Sequence, residues 1–234
     1  MTIETLYPEI CNLFGEPTNV KYLQMSVPGA EVVNTALNDE PAFVSRKTDL
    51  VYMGSMTENA QELVIGRLRP YMDRLRGLVS DGTAFLMTGN AFEIFGSYIE
   101  CDDGRRIEGL GLYDIYSVRR MMKRYSSLFL GRAGECEVAG FRNQFTFSYG
   151  DNTKNGLFAV TKGIGLNPDS RTEGVRLNNF MATQVLGPLL VLNPSFTQML
   201  LRLLGSDAEP AFLSRAQEAY QRRVADFSDP GCRF

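Results

Sequence analysis

The sequence predicts an α/β protein: an open, mostly parallel sheet with flanking helices, extended by antiparallel strands in the C-terminal half. Two observations carry this. Over the first hundred residues, short apolar runs bounded by turn formers alternate with longer stretches of helical period, the order that a parallel sheet covered on both faces requires. Beyond Ile107 the apolar residues instead alternate with polar ones, as from Cys136 to Phe147, which is the period of antiparallel strands.

Taken in order, Met1 to Leu6 is a buried strand, rich in β-branched residues. Asn12 to Gln24 is helical around a turn at Gly15 to Thr18, and Glu31 to Ala36 is a weaker strand. Asp49 to Met53 is a short buried strand. Asn59 to Val79 is predicted as one amphipathic helix, with Leu63, Ile65, Leu68, Tyr71, Leu75 and Leu78 towards the core and Arg67, Arg69, Asp73, Arg74 and Arg76 elsewhere. Asp81-Gly82 ends it before a strand at Ala84 to Thr88. Pro194 to Leu204 reads as a helix, and Glu209 to Asp226 as a polar closing helix with Ala211, Leu213, Ala216 and Tyr220 on one face. The tail from Phe227 is expected to be loose. Residues 1–205 thus form one domain, and 206–234 a C-terminal helix and tail; no internal repeat interrupts them.

With 234 residues, 44% hydrophobic and 22% charged, the chain can bury one substantial core. A net charge of -3 and a pI near 5.2 give no general attraction to nucleic acid. The basic clusters Arg69 to Arg76 and Arg119 to Arg124 read as solvated helix faces. The apolar stretches Gly187 to Leu192 and Met199 to Leu204 fall short of the roughly 20 residues of a membrane span, and the N-terminus lacks a basic stretch followed by an apolar one. A cytoplasmic location is expected. Cys11, Cys101, Cys136 and Cys232 are widely spaced and the chain has no histidine, so no zinc site, disulfide framework or other cofactor is expected.

Open parallel sheets place their sites at the carboxyl ends of the strands, which here directs attention to Gly54 to Asn59 and Thr88 to Gly96. Several segments occur in a familiar order: Asn12 to Val20, Asp49 to Gln61, Ala84 to Gly96, Glu108 to Asp114, Ala139 to Asn143, Thr172 to Gly174 and Gly187 to Leu190. In their order and spacing, over roughly residues 1 to 205, they resemble the class I glutamine amidotransferases of the cobyric acid synthase type, the group that includes the glutaminase subunits of lipid II isoglutaminyl synthase. The resemblance implies a flavodoxin-like sheet. It also implies an elbow turn on which a cysteine attacks the glutamine amide, a histidine that relays the proton, and backbone amides that hold the oxyanion.

Aligned on Gly96, the cysteine position is Gly89, and the residue before Gly187-Pro188, where the family has its histidine, is Leu186. A second family histidine corresponds to Gln144. Thr88 carries a hydroxyl, but one step along a strand turns a side chain to the other face. The glycine-rich oxyanion loop reads Gly54-Ser55-Met56-Thr57, with side chains where a ligand must approach the backbone. The arginine that the family uses for glutamine corresponds best to Lys123, with Arg124 adjacent. Glu16 and Glu173 match family acidic residues and are remnants of the triad region or structural. Glu93, in place of a family glutamine, reads first as a charge stabilised by a helix N-terminus.

Gly54, Ser55, Asn90, Glu93, Lys123 and Arg124 are the ligand-binding candidates, and no residue is expected to be catalytic. The expectation is a degenerate glutaminase-like subunit that binds a protein partner, for which the resemblance suggests a Mur-ligase-like amide synthetase. The alternatives are a remodelled pocket that binds or converts another small polar ligand and a working glutaminase that supplies ammonia for amidation of a peptidoglycan precursor or a cobyric-acid-like substrate.

Overall fold

In the computed structural model, which describes residues 1–232, the N-terminal half runs β1 (Thr2–Leu6), α1 (Thr18–Ser26), β2 (Glu31–Thr35), α2 (Ala42–Ser45), β3 (Leu50–Met53), α3 (Glu58–Leu68), α4 (Met72–Ser80), β4 (Ala84–Thr88) and α5 (Ala91–Ile94). β1, β3 and β4 agree with the sequence pattern because they are short and buried on both faces, as a central parallel strand must be; β2, the weaker strand, lies at the sheet edge with Glu31 and Asn34 exposed. The predicted single helix over Asn59 to Val79 is instead two, joined by a 3₁₀ turn at Arg69–Tyr71. Pro70 lacks the amide hydrogen that an uninterrupted helix needs there; Leu63, two residues before Ile65 and so on the other side of α3, is exposed at 46%, while its expected neighbours Ile65, Leu68, Leu75 and Leu78 are buried.

The remaining elements are β5 (Tyr98–Glu100), β6 (Arg106–Glu108), β7 (Tyr116–Arg119), β8 (Tyr125–Ala133), β9 (Cys136–Gln144), β10 (Thr146–Tyr149), β11 (Phe158–Lys162), β12 (Thr172–Glu173), β13 (Val175–Leu177), β14 (Phe180–Thr183), α6 (Leu189–Leu192), α7 (Pro194–Leu203) and α8 (Leu213–Ser228). Three sheets result. The largest has the order β13-β14-β4-β3-β1-β2 and is parallel except for the β13–β14 edge. Two four-stranded sheets, β10-β7-β5-β6 and β12-β11-β8-β9, are antiparallel apart from the β5–β7 pair. This is the mostly parallel α/β architecture with an antiparallel extension that the sequence predicts.

Apolar side chains pack on both faces of the six-stranded sheet. One cluster joins Val51, Met53, Phe85 and Met87 to α3, α4 and α5. The other joins Ile3, Leu50, Tyr52, Leu86 and Met181 to α1, α6 and α7. The loop at 109–112 closes over the far end of α5: Leu110, Gly111 and Leu112 donate backbone N–H groups to Ile94, Gly96 and Phe95. Gly109 lies so close to the Gly96 carbonyl that a Cβ would overlap it, which accounts for a glycine there.

The closing helix begins at Leu213, four residues after its predicted start. The part of the tail from Phe227 to Cys232 is tied down more firmly than expected, with Lys162 Nζ donating to the carbonyls of Phe227, Asp229 and Cys232, the last two at 3.0 and 3.1 Å; residues 233–234 of the expected loose tail lie outside the described residues. No helix among the described residues is long and apolar enough to cross a membrane.

Candidate functional site

The parallel strands β14, β4, β3, β1 and β2 have their carboxyl ends on one edge of the main sheet, and the turn that leaves β4 lies at the middle of the site. Gly89 adopts φ +62 between Thr88 and the one-turn helix α5. An L side chain pays about 1–2 kcal/mol in that left-handed region, so the turn is strained for anything but glycine. A Cβ at residue 89 would also overlap the Ser55 hydroxyl and come within 2.8 Å of Leu186 Cδ2 and 3.0 Å of Ser55 Cβ. The place of an elbow side chain is therefore filled from two sides, by the loop after β3 and by the segment before Pro188.

Beneath this turn lies a buried carboxylate. Glu16 is fully buried. Its Oε2 accepts from the Thr88 hydroxyl, from Tyr52 OH at 3.1 Å and from Asn19 Nδ2 at 3.1 Å, and its Oε1 accepts from the Gly187 N–H at 3.2 Å. Asn19 also bonds Tyr52 OH and, through Oδ1, the Leu190 N–H. One side chain thus ties the start of α1 to β3, to the elbow and to the Leu186–Pro188 turn. Burial pushes the Glu16 carboxyl above its ordinary value, and the bonds from Thr88, Gly187, Tyr52 and Asn19 pull the other way. The same burial, with Glu16 adjacent, holds the Tyr52 phenol well above its usual range. Thr88 points down into this cluster, away from the open side of the turn, as strand alternation requires.

Above the turn is a cavity of about 150 Å3, lined among others by Phe14, Ser55, Met56, Asn90, Glu93 and Arg124. The wall formed by the loop after β3 is closed by a reciprocal pair: Met56 N–H donates to Asn90 Oδ1 at 2.9 Å and Asn90 Nδ2 donates to the Met56 carbonyl at 2.7 Å. A backbone donor of that loop is therefore spent inside the protein. Ser55 is 2% exposed, and its hydroxyl has no hydrogen-bond partner among the described residues.

Glu93 lies in the first turn of α5, where the sequence places a charge at a helix N-terminus, but that helix has four residues and Glu93 is 2% exposed, so side chains rather than the helix end alone surround it. Its carboxylate accepts from Gln61 Nε2 at 3.0 Å, from the Thr146 hydroxyl and, at 3.5 Å, from Gln184 Nε2. Desolvation raises its pKa; the Thr146 and Gln61 bonds and the charge of Arg119 oppose this. Arg119, expected on a solvated face, is buried and donates to Gln61 Oε1 at 2.5 Å. Deeper still, Arg142 donates to Gln144 Oε1 at 2.7 Å, to Gln184 Oε1 and to the Ile164 and Gly165 carbonyls. Glu173 accepts from Thr183 at 2.6 Å and from the Gln184 N–H at 2.8 Å. Burial raises the Glu173 carboxyl and lowers Arg142, and each charge partly offsets the other's shift.

Of the ligand-binding candidates, Ser55, Asn90, Glu93 and Arg124 line the cavity, whereas Gly54 and Lys123 do not. Gly54 is packed below, where a Cβ would lie 3.0 Å from both the Cys11 carbonyl and Glu16 Cβ; Lys123 is exposed on the β7–β8 turn. Leu186 is buried and Glu173 lies in the polar core. Gln61, Arg119, Asn143, Thr146 and Gln184 were not indicated by the sequence; they come from distant segments and share no local motif. None of the cysteines lines the cavity. Cys11 is in the core, where burial pushes its thiol up to about 12, and Cys101 and Cys136 are half-buried. No cluster of three or more metal-ligating side chains occurs among the described residues.

The architecture is that of the glutamine amidotransferases. A solved glutamine amidotransferase superposes with a TM-score of 0.57 at 13% identity, over 86% of this chain and 98% of that one, a likeness that speaks for the fold alone. In sequence the chain is similar to GatD, the subunit of a glutamine-hydrolysing lipid II isoglutaminyl synthase. It is 24% identical to the Staphylococcus aureus protein over 223 residues, covering 94% of this chain and 89% of the relative. With the Streptococcus pneumoniae protein it shares 22% over 205 residues, covering 86% and 78%. No protein-family profile matches the chain.

Proposed function

We propose that this chain is a glutaminase-like subunit that does not hydrolyse glutamine and that acts by binding a protein partner, a Mur-ligase-like amide synthetase. The observation that carries this reading is the filling of the nucleophile's place by Ser55 and Leu186 around a side-chain-free Gly89. Amide hydrolysis by covalent catalysis needs a nucleophile clear of its surroundings and a base within hydrogen-bond reach. Leucine and glycine supply neither. The exposed apolar residues Phe14, Met121 and Met122, the last at 95%, support the partner. Met121 and Met122 share an exposed turn with Lys123 and with Arg124, which lines the cavity, so apolar and basic groups sit together on one surface suited to a partner's contact.

The test is ammonia release from glutamine by the purified chain, alone and mixed with a Mur-ligase-like protein of the same source, with and without a thiol-alkylating reagent. The expected result is no release above background from the chain alone and a stable complex on size-exclusion chromatography. Thiol-sensitive release would overturn the reading. The cavity's converging polar groups favour a second role beside the first, the binding of a small polar ligand.

A further inference from the structure

We infer that the cavity above Gly89 is a binding site for a small diamino monocarboxylic acid, the class of ornithine and lysine. This goes beyond the partner-binding reading and does not depend on it.

Three observations converge. The ionisable side chains that line the cavity are Glu58, Glu93 and Arg124, two carboxylates and one guanidinium. A ligand with two ammonium groups and one carboxylate complements that set. Next, Glu93 is buried yet has no ion pair among the described residues: its hydrogen-bond donors Gln61, Thr146 and Gln184 are all neutral. The nearby charge of Arg119 is held on Gln61 and reaches the carboxylate only across that amide, so the buried acid has no cation in contact, and a ligand ammonium reaching the cavity wall would supply one. Arg124 is the converse. Its Nε donates to Asn143 Oδ1 at 2.6 Å and its guanidinium lies 5.6 Å from the centre of the Phe145 ring, with no carboxylate in an ion pair among the described residues. It remains open to a bidentate carboxylate at the mouth.

The third observation is the Ser55 hydroxyl, which lies in the cavity wall, has no protein partner among the described residues and is not sealed from the cavity. It faces the space a ligand would fill, where its oxygen can accept from an ammonium. A cavity of about 150 Å3 holds several waters' worth of ligand, which suits an amino acid and excludes a nucleotide. The acid at position 93 sets the preference. A carboxylate there favours an ammonium over a neutral amide, so glutamine is the weaker ligand.

Isothermal titration of the intact chain with ornithine, lysine, glutamine and norleucine tests this. Ornithine or lysine should bind at least tenfold more tightly than glutamine and norleucine. Glu93→Gln should remove that margin, and Arg124→Ala, at an exposed position, should weaken binding by the basic amino acids at least tenfold. The ranking on the unsubstituted chain needs neither variant to fold. Absence of binding by both basic amino acids at millimolar concentration would overturn the inference, as would glutamine binding as tightly as they do, or binding unchanged in Arg124→Ala.

Discussion

The two sides of the elbow turn have different characters. Below it, every donor around Glu16 is supplied by the chain itself and the carboxylate is wholly buried. Above it, a serine hydroxyl lacks a protein partner among the described residues and a buried glutamate is held by neutral donors alone. The lower side fixes the shape of the turn by joining α1, β3, β4 and the Gly187 segment. The upper side faces the cavity. The positions that hold a reactive loop in place and the positions that react are thus physically separable, and a chain can keep the first while it changes the second.

The largest effect is expected below the turn. Glu16→Leu would remove the acceptor of the Thr88 hydroxyl and the Gly187 N–H, whereas Tyr52 keeps the residue-16 carbonyl and Asn19 keeps the Tyr52 oxygen; with about 1–3 kcal/mol for each group left unsatisfied, the cost is about 3–5 kcal/mol. That is a large share of a typical domain's stability, and urea denaturation measures it. An equal loss from Glu93→Leu would erase the distinction between the two sides.

At the turn itself, Gly89→Cys should cost about 2–4 kcal/mol, from the left-handed φ and the overlap with Ser55 and Leu186. Adding Ser55→Gly should return about 1–2 kcal/mol, so the pair is non-additive in a double-mutant cycle. Strict additivity would mean that Ser55 does not fill the site.

Acidity distinguishes interior from surface. Glu4, Glu16, Glu93 and Glu173 all have carboxyls raised above 4.5 by burial. A raised folded-state pKa means that the folded chain binds more protons, so their contribution to stability is fully present below the unfolded value and is lost as pH rises through the folded values. Exposed Glu31 and Asp151 are lowered by hydrogen bonds to Arg46 and Thr153 and act in the opposite sense only at lower pH. The melting temperature should therefore rise as pH falls from neutral towards the ordinary carboxyl value. A flat or falling profile, read by calorimetry, would show the buried acids to be better compensated than their surroundings indicate.

The smallest effect is remote from the site. Lys162→Met should cost about 1 kcal/mol and speed amide exchange from Phe227 to Cys232, leaving the elbow unchanged.

Much of the scaffold was legible in the sequence because parallel strands are short apolar runs and Ala84 to Thr88 has both the composition and the flanking turns. The break at Pro70 was legible too, but the regular spacing of Ile65, Leu68, Leu75 and Leu78 masked it. Gly89 and Leu186 could be placed from local motifs. What no local pattern reveals is that Ser55 and Leu186 converge on Gly89, or that Glu93 is held by Gln61 and Thr146. Those contacts are made by the fold, and a charge near a helix start reads alike whether it is solvated or buried. The Lys162 contacts, which hold a tail expected to be loose, span 65 residues or more for the same reason.

The most direct measurement compares glutamine hydrolysis by Gly89→Cys/Leu186→His with that of the same chain carrying Ser55→Gly as well, each first shown to be folded by circular dichroism. If the filled upper surface separates this chain from a glutaminase, the double variant releases ammonia weakly at most and the triple variant at least tenfold faster. Equal rates in the two would contradict it.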